Sequence, residues 1–564
     1  MTRGVVAARG AIAAAVLLAI GEARAQAPIY PPPAAQAPVQ PPSATLSGPA
    51  TQPSGPISAG QPAQPRQAAP GAAPGEPAPG TTRTFVPSLG VTERITDNVR
   101  LLPQGRTDEI TTLSPALSVR YQGPRSYLNL DGTLNVDRYA ETPSLDRLRT
   151  SLIGNGQAQL IRDYASVDLQ TFATQQQTNR VFAAQPDVAN GAPGQQDVYG
   201  FTLSPFLEHR FGSVATTELR YRYGQTFVST SGSANPTPAI AAQPTVSGIP
   251  SSTYQQLSSF AETGPAFTRL LSRLSASAGT TALPLGDLNQ RNVGLESQYV
   301  VSRPISLLSN IGYDDIHVPL QTQPLSGPYA LGGVQLTPGP RSRMRVEMGE
   351  RYRSFSIIGE GTYKIGPTST ARVLYTDTIS SQPTQFLTNL ESISQDPLGN
   401  FVDSETGLVY TPREQAAINL TAQPFRQHRL VVVVPFVDER NTYTLTGSQT
   451  IRHFLSPPAV GQPVQGDQIA SAVVLTVARQ ITRATTATAS ASYSTSSIGG
   501  QAGSTIETFR LQLGLNYRYS EATTFQAIYS YLDQTNGTVG AAPTLAQFGP
   551  VQENSILVGV RRAF

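Results

Sequence analysis

From Phe509 to Tyr519 the chain alternates strictly. Phe509, Leu511, Leu513, Leu515, Tyr517 and Tyr519 are separated by Arg510, Gln512, Gly514, Asn516 and Arg518. A period of two places successive side chains on opposite faces of an extended strand. The same pattern returns repeatedly. Leu113, Leu117, Val119 and Tyr121 oppose Ser114, Ser118 and Arg120. Leu128, Leu130, Leu134 and Val136 alternate with Asn129, Asp131, Thr133, Asn135 and Asp137, and Leu219, Tyr221, Tyr223 and Phe227 with Glu218, Arg220, Arg222 and Thr226. Phe525, Ala527, Tyr529 and Tyr531 oppose Gln526 and Ser530. Each run is about ten residues or more, longer than an ordinary globular strand and the right length for a tilted membrane crossing.

The connections divide into two kinds. Short polar turns are expected at Gln122–Arg125, Arg162–Tyr164, Phe211–Ser213, Leu270–Ser272 and Ser302–Pro304. Five more are expected at Pro338–Arg341, Gly366–Thr368, Glu439–Asn441, Ile481–Arg483 and Ser520–Ala522. Between successive short turns lies one longer connection, such as Val181–Gln196, Thr230–Ser251 or Thr535–Val551. Outer-membrane barrels segregate loop lengths in this way, and soluble sandwiches have no reason to. The pattern therefore predicts an all-β fold: a transmembrane, antiparallel, up-and-down barrel over 85–564 with about 22 strands, in a range of roughly 18 to 22, and both ends on the short-turn side. Closure requires the last strand to pair with the first, near Phe85 to Thr96, because an open edge strands backbone groups in hydrocarbon.

Two segments with different patterns precede the barrel. Arg3 and Arg9, the apolar run Ala11–Ile20 and the step Ala23-Arg24-Ala25 before Gln26 read as a secretory signal over 1–25. Residues 26–84 are rich in Pro, Ala, Gln and Gly, with Pro31-Pro32-Pro33 and Pro41-Pro42 favouring extended polyproline geometry. This stretch lacks the apolar side chains to offset ordering entropy. It is expected to be a disordered periplasmic linker, long enough to approach peptidoglycan or a periplasmic export component.

Composition agrees with these readings and narrows the chemistry. Of 564 residues 39% are hydrophobic and 14% charged, with a mean hydropathy of -0.18. A membrane barrel looks this polar because only alternate residues face lipid. The absence of cysteine excludes disulfides, cysteine-ligated zinc and a thiol nucleophile. The net charge of +3 falls to about +1 once Arg3, Arg9, Arg24 and Glu22 are set aside, which gives no argument for nucleic acid. Lys364 is the single lysine.

Candidate chemistry lies on the polar face. Arg120, Asp131, Asp137, Glu218, Arg220, Arg222, Arg372, Arg510 and Arg518 are expected to point into a wet lumen, where charge sets ion selectivity. Asp314, Asp315 and His317, near the start of a loop, resemble an acid–base group at a barrel rim, but such a site needs a second acidic pair on a neighbouring strand, and an ordinary solvated loop is the expected reading. His209, His428 and His453 are dispersed in sequence, so neither a metal nor any other cofactor is expected. In the longest loop, Ser380–His428, Pro412-Arg413-Glu414-Gln415-Ala416-Ala417 suggests a short helix, and the loop's length suggests that it folds into the mouth. At the C-terminus Ile556, Val558, Val560 and Phe564 share one face. A terminal aromatic on such a strand is similar to the signal read by the barrel assembly machinery, with Arg562 as a departure.

Several stretches resemble the β-barrel porin family of outer-membrane proteins associated with exosortase (PEP-CTERM) and exopolysaccharide gene clusters. The opening Pro87-Ser88-Leu89-Gly90-Val91-Thr92-Glu93, Thr96-Asp97-Asn98-Val99, then Thr112–Tyr121 and Gly123-Pro124-Arg125, is one. Gly332-Gly333-Val334, Pro338-Gly339-Pro340-Arg341-Ser342 and Gly349-Glu350-Arg351-Tyr352 form a second, and Phe401-Val402-Asp403-Ser404 with Thr406-Gly407 a third. Leu331 stands where the family often has an aromatic, and Tyr352-Arg353-Ser354 replaces its Tyr-Phe-Gly step. The resemblance implies an outer-membrane barrel without catalytic residues, linked to polysaccharide export. Two functions fit: a porin-like channel for polar solutes or an extended saccharide, and a non-conducting barrel that anchors an envelope complex through its Pro-rich arm. Bilayer lipid and the assembly machinery are the expected partners.

Overall fold

A computed structural model describes residues 82–177, 195–229, 251–284, 286–321, 325–391, 393–395, 401–403, 423–456, 466–499, 505–536 and 550–564. The signal with Ala23, Ala25 and Gln26, the Pro-rich arm up to residue 81, most of the loops at 181–196, 230–251 and 535–551, and the helix expected at Pro412–Ala417 lie outside them.

The first half of the wall is β1 (Thr82–Thr96), β2 (Asp108–Gln122), β3 (Ser126–Tyr139), β4 (Arg147–Ile161), β5 (Ala165–Gln177), β6 (Gln195–Phe211), β7 (Ala215–Ser229), β8 (Ser252–Thr263), β9 (Leu270–Thr281), β10 (Leu288–Ser302) and β11 (Ile305–His317). It continues through β12 (Gly327–Gly339), β13 (Ser342–Arg351), β14 (Ser354–Lys364) and β15 (Thr370–Ser380). A helix, α1 (Gln382–Glu391), and a small hairpin of β16 (Ile393–Gln395) and β17 (Phe401–Asp403) follow. The wall then resumes with β18 (Phe425–Val437), β19 (Asn441–Phe454), β20 (Gly466–Gln480), β21 (Thr485–Gly499), β22 (Thr505–Arg518), β23 (Thr523–Asn536) and β24 (Val551–Ala563).

These strands form one 22-stranded antiparallel sheet that closes on itself. β1 pairs with β2 on one side and with β24 on the other, from Ser88↔Ala563 to Thr96↔Ser555. The barrel begins at Thr82, three residues before Phe85, so Thr82–Thr84 belong to the wall rather than to the linker.

The wall is inverted relative to a soluble protein. On β10, Gln290, Asn292, Glu296 and Gln298 are buried while Val293, Leu295 and Tyr299 are exposed. β11 repeats this, with Ser306, Asn310 and Asp314 buried and Leu307, Ile311 and Tyr313 exposed. An apolar exterior around a polar interior is the arrangement of an outer-membrane barrel. Covering that exterior with water would be costly, since each large apolar side chain gains about 1.5–3 kcal/mol on leaving it.

Two connections differ from expectation. The turn placed at Leu270–Ser272 lies at 264–269, and Leu270 already opens β9. Gly264-Pro265 ends β8 because Pro has no amide to give the ladder. The Gly264 amide bonds the Val214 carbonyl at 2.6 Å, and a Cβ there would sit 2.3 Å from the Ser213 carbonyl oxygen. Contact with the β6–β7 turn thus requires glycine. Second, β13 and β14 are joined on the loop side by only Tyr352 and Arg353, where a long loop was expected. Both have φ of 56°, the geometry of a type I′ hairpin turn without its usual glycine.

Candidate functional site in the barrel mouth

The inner face starts as a lattice of ion pairs. Arg120 meets Asp131 at 2.7 Å, and Asp137 is held by Arg149 and, at 3.6 Å, by Arg147. Arg220 lies between Glu218 at 2.7 Å and Asp168 at 2.6 Å, with its guanidinium over the Phe206 ring. Arg222 donates to Gln256 at 2.9 Å. Arg351 forks onto Asp314, and Arg345 pairs with Glu347. Pairing of this kind limits the desolvation cost of burying charge.

All nine charged residues singled out in the sequence occupy inner-face positions by register. Arg372 stands opposite Thr362 and Val433, and Arg510 opposite Leu532. Arg518 lies at the short-turn rim, exposed, donating to the Arg483 carbonyl at 3.4 Å. At the C-terminus Ile556, Val558, Val560 and Phe564 all face outward and are exposed. Arg562 shares that face and stacks 5.7 Å from the Phe564 ring, its charged end free to reach the interface.

Asp314, Asp315 and His317 lie within β11 rather than in a loop. Asp314 points inward to Arg351 and Asn292, while Asp315 and His317 face outward, so the three form no common site. His428 and His453, far apart in sequence, come together on β18 and β19 with ring centroids 5.6 Å apart. Among the described residues no group of side chains suits a metal ion.

The main feature of the mouth was not visible as a motif. β14 and β15 pair over only six positions, from Lys364↔Thr370 to Gly359↔Tyr375. Beyond Tyr375 the upper part of β15 leaves the wall and lies inside it, still paired with β18 up to Ser380↔Phe425. Three contacts fix this geometry. Gln290, on the inner face of β10, donates to the Ile379 carbonyl at 3.1 Å. Ile379 packs in a buried cluster with Leu283, Leu288, Ile316, Val318 and Tyr352. Asp377, fully buried, accepts from Ser356 of β14 at 2.6 Å and from Arg426 of β18 at 2.8 Å. Arg426 extends on to the Phe355 carbonyl, which has no ladder partner on β15. Burial pushes the Tyr352 phenol well above its ordinary value, so it stays neutral beneath Ile379.

From the end of β15 the helix α1 crosses the lumen. Ser381 caps it, its hydroxyl accepting from the Thr384 amide, and Pro383 occupies the first turn. On one side Gln382 and Gln385 bond Arg452 of β19 at 3.0 and 2.8 Å, and Gln385 also bonds Gln427 of β18 at 2.9 Å. On the other side Thr384 bonds Thr281 of β9 at 3.0 Å. Leu387, 1% exposed, seats over Gly224 of β7, where a Cβ would meet its Cδ1 at 2.7 Å. The helix also packs on β5 and β6. The first part of the long loop, helix Gln382–Glu391, lies in the mouth, while the helix expected at Pro412–Ala417 lies outside the described residues. The signal present in the sequence was Ser381-Gln382-Pro383, an N-cap followed by a first-turn proline.

No family model matches the chain, and no curated protein matches its sequence. Solved structures similar in shape include the ferric enterobactin receptor PfeA of Pseudomonas aeruginosa. It shares 8% identity over 85% of this chain and 81% of that one, with a TM-score of 0.44. The siderophore receptor PirA of Acinetobacter baumannii shares 10% over 86% and 81%, also at 0.44. A loop-deleted OmpT, an outer-membrane protein of Vibrio cholerae, shares 9% over 86% and 99%, at 0.30. At such TM-scores these likenesses carry no argument about function.

Proposed function

We propose that the protein is a porin-like channel of the bacterial outer membrane, passing polar solutes passively or exporting an extended saccharide. The observation that carries this reading is α1 itself, held inside the lumen by inner-face residues of β7, β9, β18 and β19. A 22-stranded barrel is wide, and a wide lumen discriminates between solutes only if something narrows it. The saccharide arm of the proposal draws on the exosortase-associated family that β1, the β12–β13 hairpin and Phe401–Asp403 resemble. The apolar exterior supports residence in lipid, and outward Phe564 supports recognition by the assembly machinery. The proposal includes no catalytic step.

The competing reading is a sealed barrel that anchors a periplasmic export component or peptidoglycan through the Pro-rich arm. The deeply buried pairs Arg94–Glu553 and Arg351–Asp314 favour it, since a wide open lumen would leave such groups wet. Reconstitution of the full chain in a planar bilayer separates the two. Ohmic steps that grow when Leu387→Ala trims the constriction support the channel. A folded but silent barrel supports the anchor.

A further inference from the structure

Most of the deeply buried arginines described on the inner wall meet a carboxylate, and one that does not lies beside α1. Arg452 is 3% exposed, yet among the described residues no carboxylate pairs with it. Its three nitrogens go instead to neutral amide oxygens: Nε to Gln427 at 3.0 Å, Nη1 to Gln382 at 3.0 Å and Nη2 to Gln385 at 2.8 Å. Its guanidinium lies 4.2 Å from the centre of the Phe425 ring. Glutamine oxygens satisfy the donors without cancelling the charge.

A second positive element stands at the same place. Gln382 and Gln385 belong to the first turn of α1, so Arg452 abuts the helix N-terminus, where backbone amides already carry partial positive charge. Helices favour cations at the opposite end. Elsewhere on the wall Arg94, Arg149, Arg220, Arg345 and Arg351 each have a carboxylate, so their fields decay within a short distance. Uncompensated charge beside low-dielectric groups in a narrow passage focuses its field into that passage.

We infer that Arg452 and the α1 N-terminus make the constriction an electropositive filter, selecting anionic solutes that carry carboxylate or phosphate oxygens. The inference rests on the channel reading above and names its substrate class. The filter acts through its field, so Arg452 has no need to touch the solute. Its amide partners keep it folded in place while leaving the charge unspent.

The test is the reversal potential of the full-length protein in a planar bilayer across a KCl gradient. Wild type is expected to prefer chloride. Arg452→Gln is expected to lower the chloride-to-potassium permeability ratio roughly tenfold. Gln385→Glu, which sets a carboxylate beside Arg452 from the helix rather than the wall, is expected to do the same and serves if Arg452→Gln fails to fold. Arg452→Lys should retain most of the preference. Conducting channels without chloride preference, or with a preference unmoved by both variants, overturn the inference and leave the channel reading intact. A silent barrel overturns the channel reading instead. The inference is then decided by calorimetry with sulfate on the detergent-folded protein. Binding by wild type that is lost in Gln385→Glu supports it, and equal or absent binding overturns it.

Discussion

Two junctions of the barrel, the closing seam and the step beside α1, are sealed in opposite ways. At the seam β1 and β24 pair over nine positions, and at the step β14 and β15 pair over six. The seam stays in the wall. Arg94 donates to Glu553 at 2.9 Å and to Ser555 at 2.8 Å, and Thr96 donates to Glu553 at 2.8 Å. Above it Asp97 accepts from the Asn554 amide at 2.8 Å, and below it the Phe564 amide bonds the Pro87 carbonyl at 2.9 Å. The step instead gives up its ladder beyond Gly359↔Tyr375 and sends β15 inward. Asp377, Arg426 and Ser356 replace backbone bonds there, and Ile379 finds apolar partners on β10, β11 and the β13–β14 turn.

The difference shows what closure demands. A gap facing lipid must be sealed by backbone pairing, because hydrocarbon offers unpaired groups nothing. A gap overlapped from inside can be sealed by side chains. The seam therefore serves stability of the whole barrel, and the step serves the shape of the mouth.

The largest effect should come from Asp377→Ala. It leaves the largely buried Arg426 without its carboxylate, and removing one partner of a fully buried pair costs about 3–5 kcal/mol, which bounds the loss from above. We expect the inset part of β15 and α1 to loosen, seen as faster hydrogen exchange over 376–380 and new protease cleavage within 381–391. The heat-modifiable gel shift of the folded barrel should change little. Unchanged protection at 376–380 would mean that Asp377 does not hold the step.

Most of the wall was legible in the sequence because a membrane barrel writes its polarity at a period of two. Phe509–Tyr519 and Leu128–Asp137 needed no tertiary information, and short turns such as Gly123–Arg125 fixed the strand count. The step was not legible as a motif, for a physical reason. Asp377 follows Val373 and Tyr375 on the outward parity, and Arg426 and His428 share a parity with Leu430 and Val432. Read locally they look like defects in a lipid-facing row. They are the outer face of an element that no longer meets lipid, which only the contact between Gln290 and Ile379 reveals. Arg452 escaped for a related reason: the three glutamines that hold it without a carboxylate are distant in sequence.

At the seam a gentler change sharpens the contrast. Glu553→Gln keeps an acceptor for Thr96 and Arg94 but removes the charge, so the cost should be about 1–3 kcal/mol, that of a weakened buried hydrogen bond to a charged group. Here the whole barrel should respond, with a lower temperature for the heat-modifiable transition and no new cleavage within 381–391. A local response confined to the mouth would show that seam and step are one cooperative unit.

The smallest effect concerns the loop between β3 and β4, held by a half-buried carboxylate rather than a fully buried one. Asp146 accepts from the Tyr139 amide at 2.9 Å and from Arg138 at 2.5 Å. The backbone bond first, then Arg138, holds its pKa below the ordinary 3.8. A depressed carboxyl contributes stability that is complete above the ordinary value and is lost as pH falls through the folded one. The Tyr139 amide chemical shift should therefore titrate below the ordinary aspartate range, and Asp146→Asn should flatten that titration. Because Arg138 is largely exposed, added salt should weaken its share while leaving the backbone bond. A Tyr139 titration at or above 3.8 would show that the loop, unlike the step, draws nothing from its carboxylate.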